Sequence, residues 1–155
     1  MDYLPYLLAL LIGVVAGLRT MTAPAAICWA AFLGWFSLAG TPLAFMGSIW
    51  AVGAFTLLAL LELVADQLPS TPSRKVPMQF GARLVTGGLS GAAIGAAHQM
   101  LVPGLVASIA GAVIGTYGGA ALRAGLAKRF GRDLPAALVE DAIAIGGALL
   151  IVCHL

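Results

Sequence analysis

Long apolar stretches alternate with short polar or charged stretches along the whole chain. A helix that crosses a bilayer needs roughly 20 mostly apolar residues. The pattern predicts six helical segments, at residues 4–18, 22–38, 45–66, 79–98, 104–126 and 135–153. The first two are short, so residues 4–38 form two spans, a re-entrant hairpin or one broken helix. An unbroken helix there would be about 50 Å long, well beyond a hydrocarbon core of about 30 Å.

Two of these segments carry a glycine at every fourth position. The two stripes are Gly87, Gly91 and Gly95, and Gly111, Gly115 and Gly119. An interior glycine costs a helix in water roughly 1 kcal/mol relative to alanine, whereas small-residue grooves commonly pack helices in lipid. We predict that the stripes are packing faces, within the chain or between the subunits of a homo-oligomer. A role in lining a pore is the alternative.

Composition supports a membrane protein. Hydrophobic residues make up 61% of the chain and charged residues only 9%, against about 25% charged in a soluble domain. We therefore predict an all-α, polytopic transmembrane bundle of about five or six helices, forming one domain over residues 1–155 with lipid as its partner. A net charge of +2 is too small to suggest binding to nucleic acid. Residues 1–18 lack the basic start and cleavage site of a signal peptide, which predicts a permanent helix.

The connecting segments differ in charge. Residues 19–21, 67–78 and 123–134 are basic, whereas residues 39–44 and 99–103 carry no charge. By the positive-inside rule the basic segments are cytoplasmic, and both termini lie outside if all six segments span. If residues 4–38 are instead a re-entrant hairpin or one broken helix, the N-terminus lies inside.

A short motif occurs twice. Gly17-x-Arg19-x-x-Thr22 recurs as Gly81-x-Arg83-x-x-Thr86, at an offset of 81 minus 17, or 64 residues. Together with weaker matches in the same order, this predicts a duplicated helical hairpin. In a six-span topology the two copies have the same orientation, which makes the repeat parallel.

Charged residues within the apolar segments suggest a functional layer. Glu62 and Asp66 are four residues apart and share a helix face. Topology places the candidate layer at the cytoplasmic end, formed by Arg19, Glu62, Asp66, Arg83, Arg123 and Asp141. Glu140 precedes Asp141 and diverges from it, so at most one of them points squarely into the bundle. The layer binds an ion or proton, or its charges neutralise one another and fix the helices, or they simply anchor the helices at the membrane interface.

Catalytic and metal-binding motifs do not appear in the sequence. It shows no nucleophile set, phosphate-binding loop, dinucleotide fingerprint or metal-ligand spacing, so we expect neither an enzyme nor a cofactor or metal site. Cys28 and Cys153 fall in apolar segments, where a thiol behaves as a small hydrophobe.

Three stretches resemble a bacterial membrane family known as domain of unknown function 4126. They are residues 17–24 (GLRTMTAP), 61–69 (LELVADQLP) and 81–83 (GAR). The resemblance implies a small, multi-pass inner-membrane protein without an established activity, and it assigns no functional residues. Our leading hypothesis is a transporter or channel-like protein for an ion or small solute. The alternative is a non-catalytic membrane scaffold or assembly factor.

Overall fold

The computed structural model describes residues 3–65 and 77–155. Those ranges contain six α-helices and no strand, which confirms the all-α prediction and the number of helices. A short 3-10 helix, Ala44–Gly47, precedes the third α-helix. The α-helices are α1 (Leu4–Leu18), α2 (Thr22–Phe32), α3 (Ile49–Ala65), α4 (Pro77–Ala97), α5 (Leu101–Phe130) and α6 (Asp133–Val152).

Two helices end at positions that the apolar pattern did not predict. The second helix ends at Phe32 rather than residue 38, and Gly34 follows with a left-handed φ of 80°. The fifth helix extends past residue 126 to Phe130, where Gly131 adopts a φ of 71°. A left-handed glycine is a common helix stop because it has no Cβ to clash with the preceding turn. The pattern of hydrophobic residues alone does not predict that a helix ends at a left-handed glycine.

Helices α1, α4 and α5 form the most closely packed part of the bundle. Gly13 lies against Ser108, and Gly17 lies against Thr116, so α1 and α5 run in the same direction. By contrast, α6 runs antiparallel to α1, because Gly147 lies beside Val15 and the earlier Asp141 contacts the later Arg19. These directions agree with a chain that reverses at each connection. The connections at Arg19–Met21 and Gly131–Arg132 therefore lie at the same end of the bundle.

The first glycine stripe, on α4, faces α5. A Cβ built on Gly91 would lie 2.6 Å from the Gly104 oxygen, and one on Gly95 would lie 3.1 Å from the Gly104 Cα. A Cβ on Gly87 would lie 3.0 Å from the Cβ of Ala112. This stripe thus brings two helices of one chain into backbone contact.

The second glycine stripe, on α5, faces α1. A Cβ on Gly111 would lie 2.9 Å from the Val14 nitrogen, and one on Gly115 would lie 2.9 Å from the Val14 carbonyl carbon. Gly119 continues the same buried face. These contacts occur within the chain, so neither stripe needs a second subunit to explain it.

The duplicated motif occupies two different local structures. Gly17–Thr22 crosses the break between α1 and α2, whereas Gly81–Thr86 lies inside the continuous helix α4. Pro24 lies in the first turn of α2. It has no N–H, so it could not donate the hydrogen bond that a helix continuing through the break would require. The corresponding position 64 residues later is Gly88, which keeps its N–H. The repeat in sequence is therefore not a repeat in local structure.

Large apolar side chains cover much of the outer surface. Trp50 is 85% exposed, and α3 buries only Val52. In the described ranges two helices are long and apolar enough to cross a membrane, Leu101–Phe130 and Leu134–Val152. The most apolar stretches of these helices are 33% and 39% buried, so most of each faces outward. Three other apolar helices, α1, α2 and α3, are shorter.

Candidate functional site

The break between α1 and α2 contains a buried arginine. Arg19 has an extended backbone, with φ of −138° and ψ of 118°, and its N–H donates to the Val15 oxygen at 2.7 Å. Its side chain is fully buried and forms an ion pair with Asp141 of α6. A buried guanidinium requires a counter-charge, because removing a lone charge from water is very costly. Asp141 supplies that charge.

Glu62 of α3 caps the start of α2. Its two carboxylate oxygens accept hydrogen bonds from the backbone N–H groups of Thr20 and Met21, each at 2.7 Å. Met21 is the N-cap of α2 and Thr20 precedes it, so neither N–H has an acceptor within the helix, and the helix dipole makes this end positive. A carboxylate satisfies both requirements. Glu62 therefore binds backbone groups on the α2 side of the break.

Arg83 of α4 serves the other side of the break. Its Nη1 donates to the Gly17 oxygen at 2.6 Å, close to the C-terminus of α1. The last carbonyl groups of a helix lack partners within the helix, and a cation is favoured at this negative end. The Arg83 side chain is almost fully buried. At the break, the anion Glu62 thus lies near the positive N-terminus of α2, and the cation Arg83 lies near the negative C-terminus of α1.

A second ion pair involves Glu140, the residue of α6 that precedes Asp141. The Nη1 of Arg123, on α5, is 3.8 Å from the Oε2 of Glu140. We expected at most one of Glu140 and Asp141 to point squarely into the bundle. Glu140 does so, and Asp141 lies at the edge, yet each pairs with an arginine. Helix α6 packs against both α1 and α5. Adjacent residues point in different directions around a helix, so Asp141 meets Arg19 at the end of α1 and Glu140 meets Arg123 on α5.

The comparison with known proteins identifies a family. The sequence model of the family described as Domain of unknown function (DUF4126) matches residues 6–154. The chain belongs to this family. No curated protein and no solved structure matches it. Membership of DUF4126 brings no known reaction, so the functional argument rests on the geometry of the charged residues.

In this DUF4126 chain the described candidate residues contribute to the helix break and to a second ion pair beside it. Arg19, Glu62, Arg83 and Asp141 surround the helix break, whereas Arg123 pairs with Glu140. Asp66, which we also predicted in the layer, lies outside the described residues.

Glu140 is the charged residue that the candidate set left out. Arg123 and Glu140 are equally far from the connection between α5 and α6, at Gly131–Arg132. An antiparallel helical hairpin places such positions side by side, so the pair could have been found from the sequence. Within residues 3–65 and 77–155, no group of three or more His, Cys, Asp or Glu side chains is arranged to hold a metal ion.

Proposed function

We propose that the chain is a multi-pass protein of the inner membrane, with lipid around the bundle and the charged end in the cytoplasm. The exposed apolar side chains support this proposal, since a soluble monomer rarely exposes large contiguous apolar patches. The two long apolar helices and the low content of charged residues support it as well. The largely exposed α3 leaves a face for lipid or for a second copy in a homo-oligomer.

Within that setting we assign the chain the role of a small transporter or channel-like protein for an ion or small solute. One observation carries this assignment. Asp141 is paired with the fully buried Arg19, yet 13% of its side chain remains exposed. Ionisable groups inside a membrane are rare, and they usually mark the path of an ion or proton or pair with one another. A transport site needs an ionisable group that cargo can reach, and the partial exposure of Asp141 supports that role.

A membrane scaffold is the second candidate. It is favoured by Glu62 and Arg83, which direct their charges at the backbone of the helix break. Charges used in this way hold helices in place and need no cargo. We therefore assign Glu62 and Arg83 a structural role under either hypothesis, and Asp141 becomes the residue on which the two hypotheses differ.

The experiment compares ion flux in proteoliposomes that contain a pH-sensitive dye, under imposed Na⁺, K⁺ or Cl⁻ gradients. For a transporter, the wild type carries flux and Asp141→Asn does not. The asparagine is nearly isosteric but leaves Arg19 without its carboxylate. Removing one partner of a deeply buried pair costs about 3 to 5 kcal/mol, and less for a partly exposed pair. Flux is therefore normalised to folded protein, measured by size-exclusion chromatography.

The double variant Arg19→Gln/Asp141→Asn separates the two candidates, because it removes both charges together. If transport is the function, the double variant regains stability but not flux. If the chain is a scaffold, the wild type carries no flux under any of the gradients, and the double variant restores the stability lost in Asp141→Asn. The second result would reject the transport assignment.

A further inference from the structure

The two ion pairs of α6 differ in which partner, the arginine or the carboxylate, is more deeply buried. In the first pair the arginine is the inner partner, because the Arg19 side chain is 0% exposed and that of Asp141 is 13% exposed. In the second pair the carboxylate is the inner partner, because the Glu140 side chain is 1% exposed and that of Arg123 is 19% exposed. Two adjacent carboxylates on one helix thus differ in access.

This difference decides which carboxylate a cation can reach. Asp141 is the partly exposed member of its pair, and Arg19 is the fully buried one. In the other pair the exposed member is Arg123, whose positive charge repels a cation, and Glu140 is almost fully buried. Asp141 is therefore the only one of these two adjacent carboxylates that offers an accessible negative charge.

Arg19 is suited to release Asp141 without losing its own charge. Its guanidinium is always protonated, so it cannot neutralise itself by giving up a proton. It also lies at the end of α1 rather than inside a helix, so only the bond from its N–H to the Val15 oxygen ties its backbone to the helical ladder. Glu62 binds the N–H groups of the next two residues, which keeps a negative charge beside the same break.

We propose that Asp141 exchanges its contact with Arg19 for a monovalent cation, either a proton or Na⁺, while Glu140 stays paired with Arg123. This inference rests on the proposed transport function and specifies its class of cargo. When a proton is the cargo, an O–H bond forms on the Asp141 carboxylate and the site gains one positive charge. No other covalent bond changes. Among residues 3–65 and 77–155, the other charged groups that this site brings together are Glu62 on α3, Arg83 on α4, Arg123 on α5 and Glu140 on α6.

Residue-specific labelling with dicyclohexylcarbodiimide tests this inference without measuring flux. The protonated carboxyl group adds across the carbodiimide, and the product rearranges to a stable N-acylurea that contains all the atoms of both reactants. The purified full-length protein is labelled in detergent over a range of pH, in sodium or choline chloride. The modified residue is located by peptide mass spectrometry. We expect Asp141 to be labelled several-fold faster than Glu140.

The Arg19→Gln variant tests the role of the arginine. It should label several-fold faster at Asp141 than the wild type, because the competing guanidinium is absent. If that variant does not fold, Arg19→Lys replaces it, since a point charge lacks the planar fork that matches a carboxylate. Asp141→Asn should lose the adduct, and Glu140→Gln should keep the adduct at Asp141. Slower labelling in sodium identifies Na⁺ as the exchanging cation, and equal labelling in both salts identifies the proton.

The proposal is overturned if Glu140 is labelled as fast as Asp141. It is also overturned if Asp141 stays unlabelled at every pH, or if both arginine variants label at the wild-type rate. Labelling as expected together with absent flux would retain cation exchange at Asp141 and reject the proposed transport. Flux without labelling of Asp141 would retain transport and reject this carboxylate as its cation site.

Discussion

Two glycines on one helix allow the close packing of α1 and α5 to be tested quantitatively. Gly115 and Gly118 both lie in the interior of α5. A Cβ on Gly115 would lie 2.9 Å from both the carbonyl carbon and the Cα of Val14, whereas a Cβ on Gly118 would have nothing within 4 Å. Substitution by alanine therefore adds the same methyl group to a crowded position and to an open one.

The difference between the two variants isolates the effect of crowding. Replacing an interior glycine by alanine favours the helix by about 1 kcal/mol, and this gain is common to Gly115→Ala and Gly118→Ala. Overpacking a close contact costs about 1 to 3 kcal/mol. The atoms that a Cβ on Gly115 would meet belong to the backbone of α1 and cannot rotate away, so the helices must separate. We expect the cost to fall in the upper part of that range.

The measurement is reversible unfolding in detergent, followed by far-UV circular dichroism. Gly118→Ala should be at least as stable as the wild type. Gly115→Ala should be less stable than Gly118→Ala by about 2 to 3 kcal/mol. Equal stability of the two variants would show that α1 and α5 are not in backbone contact at Gly115, and the assignment of this stripe to packing within the chain would fail.

Two further predictions concern topology and the helix break. In a background without Cys28 and Cys153, Gly131→Cys should react with an impermeant thiol reagent from the cytoplasmic side and Ala39→Cys from the outside; labelling from the same side would contradict the six-span topology. Glu62→Gln should lower the free energy of unfolding by about 1 to 3 kcal/mol, because an amide offers one acceptor oxygen to the two N–H groups of Thr20 and Met21. An unchanged unfolding midpoint would show that the cap contributes nothing.

The helices could be predicted from the sequence because their apolar stretches are long and separated by polar segments. The starts of α1 at Leu4 and α2 at Thr22 were predicted from the apolar segments. The end of α2 at Phe32 was not, because residues 33–38 remain apolar and the stop depends on the left-handed Gly34. A hydrophobic pattern records burial or lipid contact, and backbone conformation is a separate property.

The charged contacts were less predictable than the helices. Arg123 and Glu140 face each other across a helical hairpin, and their equal distance from its turn in the sequence is enough to predict the pair. Arg19 and Asp141 are far apart in sequence, and their contact depends on the packing of α6 against α1. The role of Glu62 was also hidden, because the sequence shows a carboxylate but not that its acceptors will meet backbone N–H groups.

The helix break explains why charged residues gather at this end of the bundle. A continuous helix would satisfy its own backbone groups, whereas the break needs Glu62 at one end and Arg83 at the other. It also places Arg19 in the interior, where Asp141 must balance its charge. Replacing a buried ion pair by apolar residues is often neutral or stabilising. Stability alone therefore does not account for an arginine at this position, whereas the proposed exchange of a cation at Asp141 would give that arginine a role.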